Sequence, residues 1–159
     1  MIRFDQGSRR FNYRIVGVAI HDHQVLLHRA EHEPFWTCPG GRAEFGEAAE
    51  DTIRREMREE LETAIDVVRL LWFVEDFFDY EGFSYHELAL YFLIRFPAGS
   101  RPLALRKFDS ADQGVKLLFQ WFPIDPASLA RLPLLPAFLP DGLANPPASM
   151  VHLVHRHEG

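Results

Sequence analysis

Apolar and polar positions along the chain divide it into strand-like and helix-like stretches. From Phe11 to Ile20 aromatic and β-branched residues dominate, and a second apolar stretch, Val25 to Leu27, follows the polar triplet His21, Asp22 and His23. Side chains of this kind pack well on a pleated surface, so the pattern predicts two strands joined by a tight turn. Glu31 to Pro34 reads as a loop, and Pro39, Gly40 and Gly41 form a second break. Between Ala48 and Glu62 the period changes. AAEDTIRREMREELE has neither Gly nor Pro, and Ala49, Ile53, Met57 and Leu61 recur every fourth residue, which predicts a helix with one apolar stripe.

Beyond the helix the chain returns to β-prone segments. Leu70 to Asp79 and Ser84 to Phe96 are read as strands, with Gly82 in the turn between them. Their continuous apolar filling predicts cover on both faces. Pro97 to Arg101 reads as a breaker, Arg106 to Gly114 as a polar, mobile loop, and Val115 to Phe122 as a further strand. Asp125 or Pro126 opens a short helix through Arg131, and Pro133, Pro136 and Pro140 cut the next stretch of chain into short pieces, one a helical turn around Ala137 and Phe138. Strands, helix, strands, helix is the order expected of an α/β (α+β) chain with a mixed sheet between helices. A single domain over 1–159 is expected, with its core at about 11–140 and a peripheral tail over 141–159. In that tail His152, His155 and His157 read as a frayed polar end rather than a metal site.

Composition narrows the classes of function. The chain has 159 residues, 47% hydrophobic and 25% charged, which suits one packed domain and excludes a disordered or low-complexity protein. A net charge of -6 argues against a nucleic-acid polymer as partner, since duplex binding needs a basic face. The longest apolar run, Leu88 to Ile94, is far short of the roughly 18 residues needed to cross a bilayer, so no membrane partner is expected. One cysteine, Cys38, cannot form an internal disulfide, and the cytoplasm is the expected compartment. With no His placed to activate it, Cys38 reads as a small buried hydrophobe rather than a nucleophile.

The chemistry concentrates around the helix. At about 100° per residue, Glu56, Glu59 and Glu60 fall within an arc of about 100°, and their carboxylates converge. Like charges at this spacing repel, so something must offset them. Arg55, four residues before Glu59, can do part of this, and a divalent cation can do more. Oxygen-only ligands suit Mg²⁺ or Mn²⁺, which share their remaining positions with water and substrate phosphates. Upstream, Gly40 and Gly41 allow a close backbone approach and can bend the chain so that Glu44 and Glu47 face the helix acids.

These residues resemble the box of the Nudix hydrolase family, G-x5-E-x7-R-E-U-x-E-E-x-G-U, where U is aliphatic. Gly41, Glu47, Arg55, Glu56, Met57, Glu59 and Glu60 stand at its spacings, while Glu62 and Thr63 replace its last Gly and aliphatic residue. Trp36, Pro39, Gly40 and Gly41 resemble the family's W-x-x-P-G-G entry to the box, Glu44 to Glu47 its E-x-G-E, and Trp121 followed by Pro123 also fits. The resemblance implies an α/β/α sandwich. It also implies metal-dependent hydrolysis of a nucleoside diphosphate linked to another moiety, with release of a nucleoside monophosphate. It implies that Glu56, Glu59 and Glu60 ligate Mg²⁺, or Mn²⁺ in its place, with Glu47 as a further ligand or supporting acid and Arg55 orienting a Glu. Gly40, Gly41, Glu44 and Tyr80 are the substrate-side candidates. Tyr80 lies where some dinucleoside polyphosphate hydrolases stack a base, although in this aromatic stretch packing is the stronger reading. Glu59 is one candidate for the general base, and Asp109 and Asp112, in the downstream loop, are two others. Replacement of the box Gly leaves open whether the helix stops at Glu62 or runs on.

Other readings fit less of the chain. A non-catalytic nucleotide-binding or regulatory module of the same fold would be expected to have lost box carboxylates, and all are present here. An isomerase of that fold would use a Cys and a Glu elsewhere. His86, next to Glu87 in an apolar strand, reads as structural. Phe77, Phe78, Phe83 and Tyr85 could form the seam of a homodimer, since exposed aromatic patches favour association.

Overall fold

The computed structural model describes residues 1–157; Glu158 and Gly159, the end of the expected tail, lie outside the described residues. Nine strands and four helices succeed one another as β1 (Arg3–Gln6), β2 (Arg9–His21), β3 (Gln24–Ala30), β4 (Gly40–Arg42), α1 (Ala49–Leu61), β5 (Asp66–Tyr80), β6 (Phe83–Arg95), α2 (Arg101–Ala104), β7 (Lys107–Asp112), β8 (Val115–Pro123), α3 (Pro126–Ala130), α4 (Leu139–Ala144) and β9 (Val151–Arg156). The sheet runs β7-β8-β3-β2-β6-β5-β9, and β1 and β4 both pair with β2. It is mixed: β2–β6 and β5–β9 are parallel and the other pairs antiparallel.

Four two-residue turns set the hairpins, at residues 7–8, 22–23, 81–82 and 113–114, and in the last three both positions share one backbone form. Asp22 and His23, Glu81 and Gly82, and Gln113 and Gly114 all have positive φ, the backbone of a turn whose twist matches that of the strands it joins. β2 and β3 pair only beside their turn, at Ile20–Val25 and His21–Gln24. Farther along, β4 takes over as the partner of β2, with Gly40 opposite Val16 and Gly41 opposite Ile15. This exchange lays the glycine pair against the centre of the sheet.

The sheet separates two apolar layers. On one side Ile53, Met57 and Leu61 of α1 are buried with Ile15, Phe92 and Phe119. On the other, Leu129, Leu139 and Leu143 of α3 and α4 cover Val16, Trp72 and Tyr91. The α1 stripe is the one that the four-residue repeat predicts. Acids in the first turn (Glu50 and Asp51) and Arg58 in the last suit the helix dipole.

Helix α1 stops where the family's glycine would stop it. Glu62 adopts the left-handed conformation, φ 53°, and its N–H donates to the Arg58 carbonyl at 3.0 Å. A side chain in this region costs about 1–2 kcal/mol, partly offset by the smaller backbone entropy it loses on folding compared with glycine. Glu62→Gly should therefore raise stability by about 0.5–1 kcal/mol, measured by urea unfolding, without altering turnover. Unchanged or lower stability would contradict this account of the cap.

Three expectations need correction. Residues 107–112 are not a mobile loop: they form strand β7, paired with β8 along its whole length and fastened to α1 by a hydrogen bond from the Ser110 hydroxyl to the Glu60 carbonyl. Within the described residues the C-terminal tail is not frayed: β9 adds a parallel strand to β5, and the buried side chain of Leu143 lies in the same tail. Alternating side chains within VHLVHR let one face of this strand meet the protein, a pattern that the three histidines concealed in the sequence. Strand pairing also begins before residue 11, at β1. The aromatics considered for a dimer seam are occupied within the chain: Phe78 stacks on Tyr85 with centroids 4.7 Å apart, Arg10 covers Phe83 and Arg156 covers Phe77. Among the described residues, no helix is long and apolar enough to cross a membrane.

Candidate active site

Arg55 is the hub of the α1 carboxylates. Its Nε and Nη2 donate to the two oxygens of Glu47 at 2.8 and 3.1 Å, and its Nη1 donates to Glu56 at 3.0 Å and Glu59 at 3.3 Å. A further bond to the Arg42 carbonyl ties this fork to β4. A planar guanidinium with five donors can hold several acids at fixed angles, which a lysine cannot. Beside it the Glu47 carboxyl is pulled down to about 2, chiefly by its hydrogen bond to Arg55. Glu47 also accepts from Thr52 Oγ1 at 2.6 Å, so it is locked onto the first turns of the helix.

The other acids have fewer partners. Glu56 and Glu60 are both buried, and Glu60 Oε2 has no hydrogen-bond donor. Burial is the largest cause of an upward shift in both carboxyls, and Glu60 rises to about 9, with Glu56 and Asp112 adding repulsion and Arg14 opposing it. Two buried acids sharing little positive charge are costly unless protonated or bound to a cation. Gly41 explains how they approach the sheet: a Cβ at this position would overlap the Glu56 carboxyl group. An orphaned buried oxygen, an all-oxygen donor set and a glycine that leaves room for a carboxylate fit a divalent cation of the Mg²⁺ or Mn²⁺ type.

Glu60 stands at the edge of a cleft of about 480 Å³ that also takes in Gly40, Tyr80 and Asp112. The structure thus brings Glu47, Arg55, Glu56, Glu59 and Glu60 together around α1, with Gly40 and Gly41 beneath and Asp112 opposite. It does not bring Glu44 into this group: its carboxylate accepts from the Met1 ammonium at 2.5 Å and is half exposed. Of the two acids of β7, Asp109 faces Lys116 at 3.6 Å and only Asp112 acts on the helix acids. Tyr80 lines the cleft, with its hydroxyl donating to Glu33 at 2.7 Å and its ring edge-on to Phe35. Cys38 is buried and its thiol is pushed up to about 12 by burial, which keeps it protonated and inert.

The polar floor of the cleft was missed by the sequence reading. Asn12 and Arg14 of β2 line it, as do Arg42, Glu87 and Asp76. Cross-strand register sets Asn12, Glu87, Asp76 and His155 in one row over β2, β6, β5 and β9. Asn12 Nδ2 donates to Glu87 at 2.7 Å within this row. The signal is an alternation: Arg10, Asn12 and Arg14 occupy every second position, with the aromatic Phe11 and Tyr13 between them. In the His86–Glu87 pair it is Glu87 that faces the cleft, while His86 packs between Phe11 and Phe77.

Comparison with known proteins agrees with this geometry. A family model described as the NUDIX domain matches residues 12–140. The chain belongs to the Nudix family. Among solved structures, an ADP-ribose pyrophosphatase from Streptococcus suis is similar with a TM-score of 0.60 at 13% identity, over 90% of this chain and 98% of that one. A UDP-X diphosphatase gives 0.59 at 19% identity over 94% and 69%, and a MutT Nudix hydrolase from Burkholderia pseudomallei 0.57 at 23% over 72% and 84%. At these identities the likeness concerns the fold. None of the curated protein sequences matches the chain.

Proposed function

We propose that this Nudix pyrophosphohydrolase cleaves the pyrophosphate bond of a nucleoside diphosphate linked to another moiety, releasing a nucleoside monophosphate. The observation that carries the reading is the buried pair Glu56 and Glu60, of which Glu60 has an unpartnered oxygen and lines a cleft that also holds Arg14 and Arg42. Glu56, Glu59 and Glu60 would hold Mg²⁺ or Mn²⁺, with Glu47 supporting them through Arg55. When bound, such an ion neutralises phosphate charge and makes water a stronger nucleophile. Arg14 and Arg42 supply fixed positive charge to phosphate oxygens on the cleft side. Phe35 and Tyr80 offer aromatic surface at another part of the cleft, suited to a base. Glu59 and Asp112 are the candidates for taking the proton of the attacking water. The cytoplasm suits a protein whose single thiol is buried and unpaired.

The deciding experiment is a panel of nucleotides with Mg²⁺ or Mn²⁺, scored as phosphate released by a coupled phosphatase. ADP-ribose and UDP linked to another group come first, because two of the similar structures are an ADP-ribose pyrophosphatase and a UDP-X diphosphatase; sugar nucleotides, oxidised purine triphosphates and dinucleoside polyphosphates come next. The expected result is metal-dependent release of a nucleoside monophosphate. Saturable binding of ADP-ribose with no product from any member would instead favour a non-catalytic module. Within an active panel, Asp112→Asn tests that residue as the base, because Glu59→Gln would also remove a metal ligand. If Asp112 is the base, its variant should lose on the order of 10²–10⁴-fold in kcat while the apparent affinity for Mg²⁺ stays unchanged.

A further inference from the structure

Strand β9 carries two imidazoles onto the sheet at a point where β5 presents a buried acid. In the β5–β9 register His155 lies opposite Asp76, and the backbone N–H of His157 donates to the Phe77 carbonyl at 3.0 Å. Both rings therefore reach the same oxygen: His155 Nδ1 is 2.9 Å and His157 Nε2 3.7 Å from Asp76 Oδ1. The rings stand nearly perpendicular, at 88° with centroids 4.5 Å apart, and Phe138 and Phe78 pack edge-on against them. We propose that Asp76, His155 and His157 form a binding site for a borderline divalent transition ion of the Zn²⁺ class, built from elements other than those that hold the α1 carboxylates.

Donor chemistry, distances and burial all point this way. Two imidazole nitrogens with one carboxylate oxygen suit Zn²⁺ and its neighbours, whereas Mg²⁺ prefers oxygen alone. The three donor atoms lie within 4.8 Å of one another. A tetrahedral ion with bonds of about 2.0–2.1 Å needs donors roughly 3.3 Å apart, which the two distances from Asp76 straddle. Asp76 is 3% exposed, and Glu87, its neighbour in register on β6, is also buried, so the carboxylate that the two imidazoles approach is shielded from bulk water. Asp76 and His157 line the cleft, which leaves a fourth position open to water from that side. His152 does not belong to the group: it bonds to Glu75 at 2.8 Å.

Titrating the chelator-stripped full chain with Zn²⁺ by calorimetry, in excess Mg²⁺ to occupy oxygen-only sites, tests the assignment. One Zn²⁺ per chain is expected. His155→Gln and His157→Gln should each weaken it by at least about 10-fold, the least that even the loss of an outer partner of a metal ligand brings. Glu56→Gln and His152→Gln should leave it unchanged. Co²⁺ should report the same site through visible absorption that both His155→Gln and His157→Gln reduce. Absence of Zn²⁺ binding by the wild-type chain, or binding that survives both histidine substitutions, would overturn the proposal and leave a hydrogen-bonded polar cluster.

Discussion

Glu60→Gln is expected to do two opposite things at once: nearly abolish turnover and make the metal-free protein harder to unfold. Loss of an anionic ligand removes several kcal/mol of charge stabilisation from the transition state, a fall of about 10³-fold or more in kcat. The gain in stability comes from burial. In the folded chain the Glu60 carboxyl rises from its ordinary 4.5 to about 9, so the native state holds this proton more tightly than the unfolded chain does. Its contribution is therefore fully present below about pH 4.5 and is lost as pH climbs toward 9. The wild-type protein stripped of metal should lose melting temperature across that interval. Glu60→Gln, with no charge to bury, should lose less and at pH 8 exceed the wild type by on the order of a few kcal/mol. Saturating Mg²⁺ should reverse the ranking, because only the wild type retains the full set of ligands. Chemical denaturation at three pH values, with and without Mg²⁺, gives the comparison. A variant less stable than the wild type in the metal-free state at pH 8 would show that Glu60 is satisfied by the protein alone.

Gly41→Ala should be almost as damaging to activity, for a steric reason. Gly41 does not have a positive φ, so its backbone would accept alanine; what is missing is space, because the added methyl would overlap the Glu56 carboxyl group. Glu56 must then rotate away and lose its 3.0 Å contact with Arg55. Displacing a ligand by about 1 Å can lower kcat by about 10²-fold, and the apparent affinity for Mn²⁺ should fall with it. Gly46→Ala is the matched control. Gly46 has φ 78° and open space around it, so that variant should lose stability while keeping most of its turnover. Equal activity losses in the two variants would refute the steric account.

The parts legible in the sequence were those with a local rule behind them. The α1 stripe, the acids spaced around Arg55 and the glycine pair announce themselves through helical period and spacing. The hairpin at Gly82 shows for the same reason, and the N-cap at Asp125 accepts from the Ala127 N–H at 3.2 Å as expected of that residue. Strand β7 was hidden because KFDSAD is polar on its exposed side and owes its order to pairing with β8, which local propensity does not register. Strand β9 was hidden because its partner β5 lies far upstream and because histidine says little about strand preference. The floor of the cleft needed the register of four strands, and no spacing in one dimension reveals that Asn12, Glu87, Asp76 and His155 are neighbours. Glu44 shows the converse: its place in the motif is right, yet the chain turns its carboxylate toward Met1.

The row of polar side chains across β2, β6, β5 and β9 lies on elements other than the helix that carries Glu56, Glu59 and Glu60. Adjacent strands hold such side chains about 4.8 Å apart, with β9 at the edge of the sheet. A substitution in the row leaves the residues of helix α1 and of the glycine pair themselves unchanged. Descendants of this chain could thus acquire new preferences by single substitutions in the floor, each a change of hydrogen-bond pattern, while the hydrolytic apparatus is inherited intact.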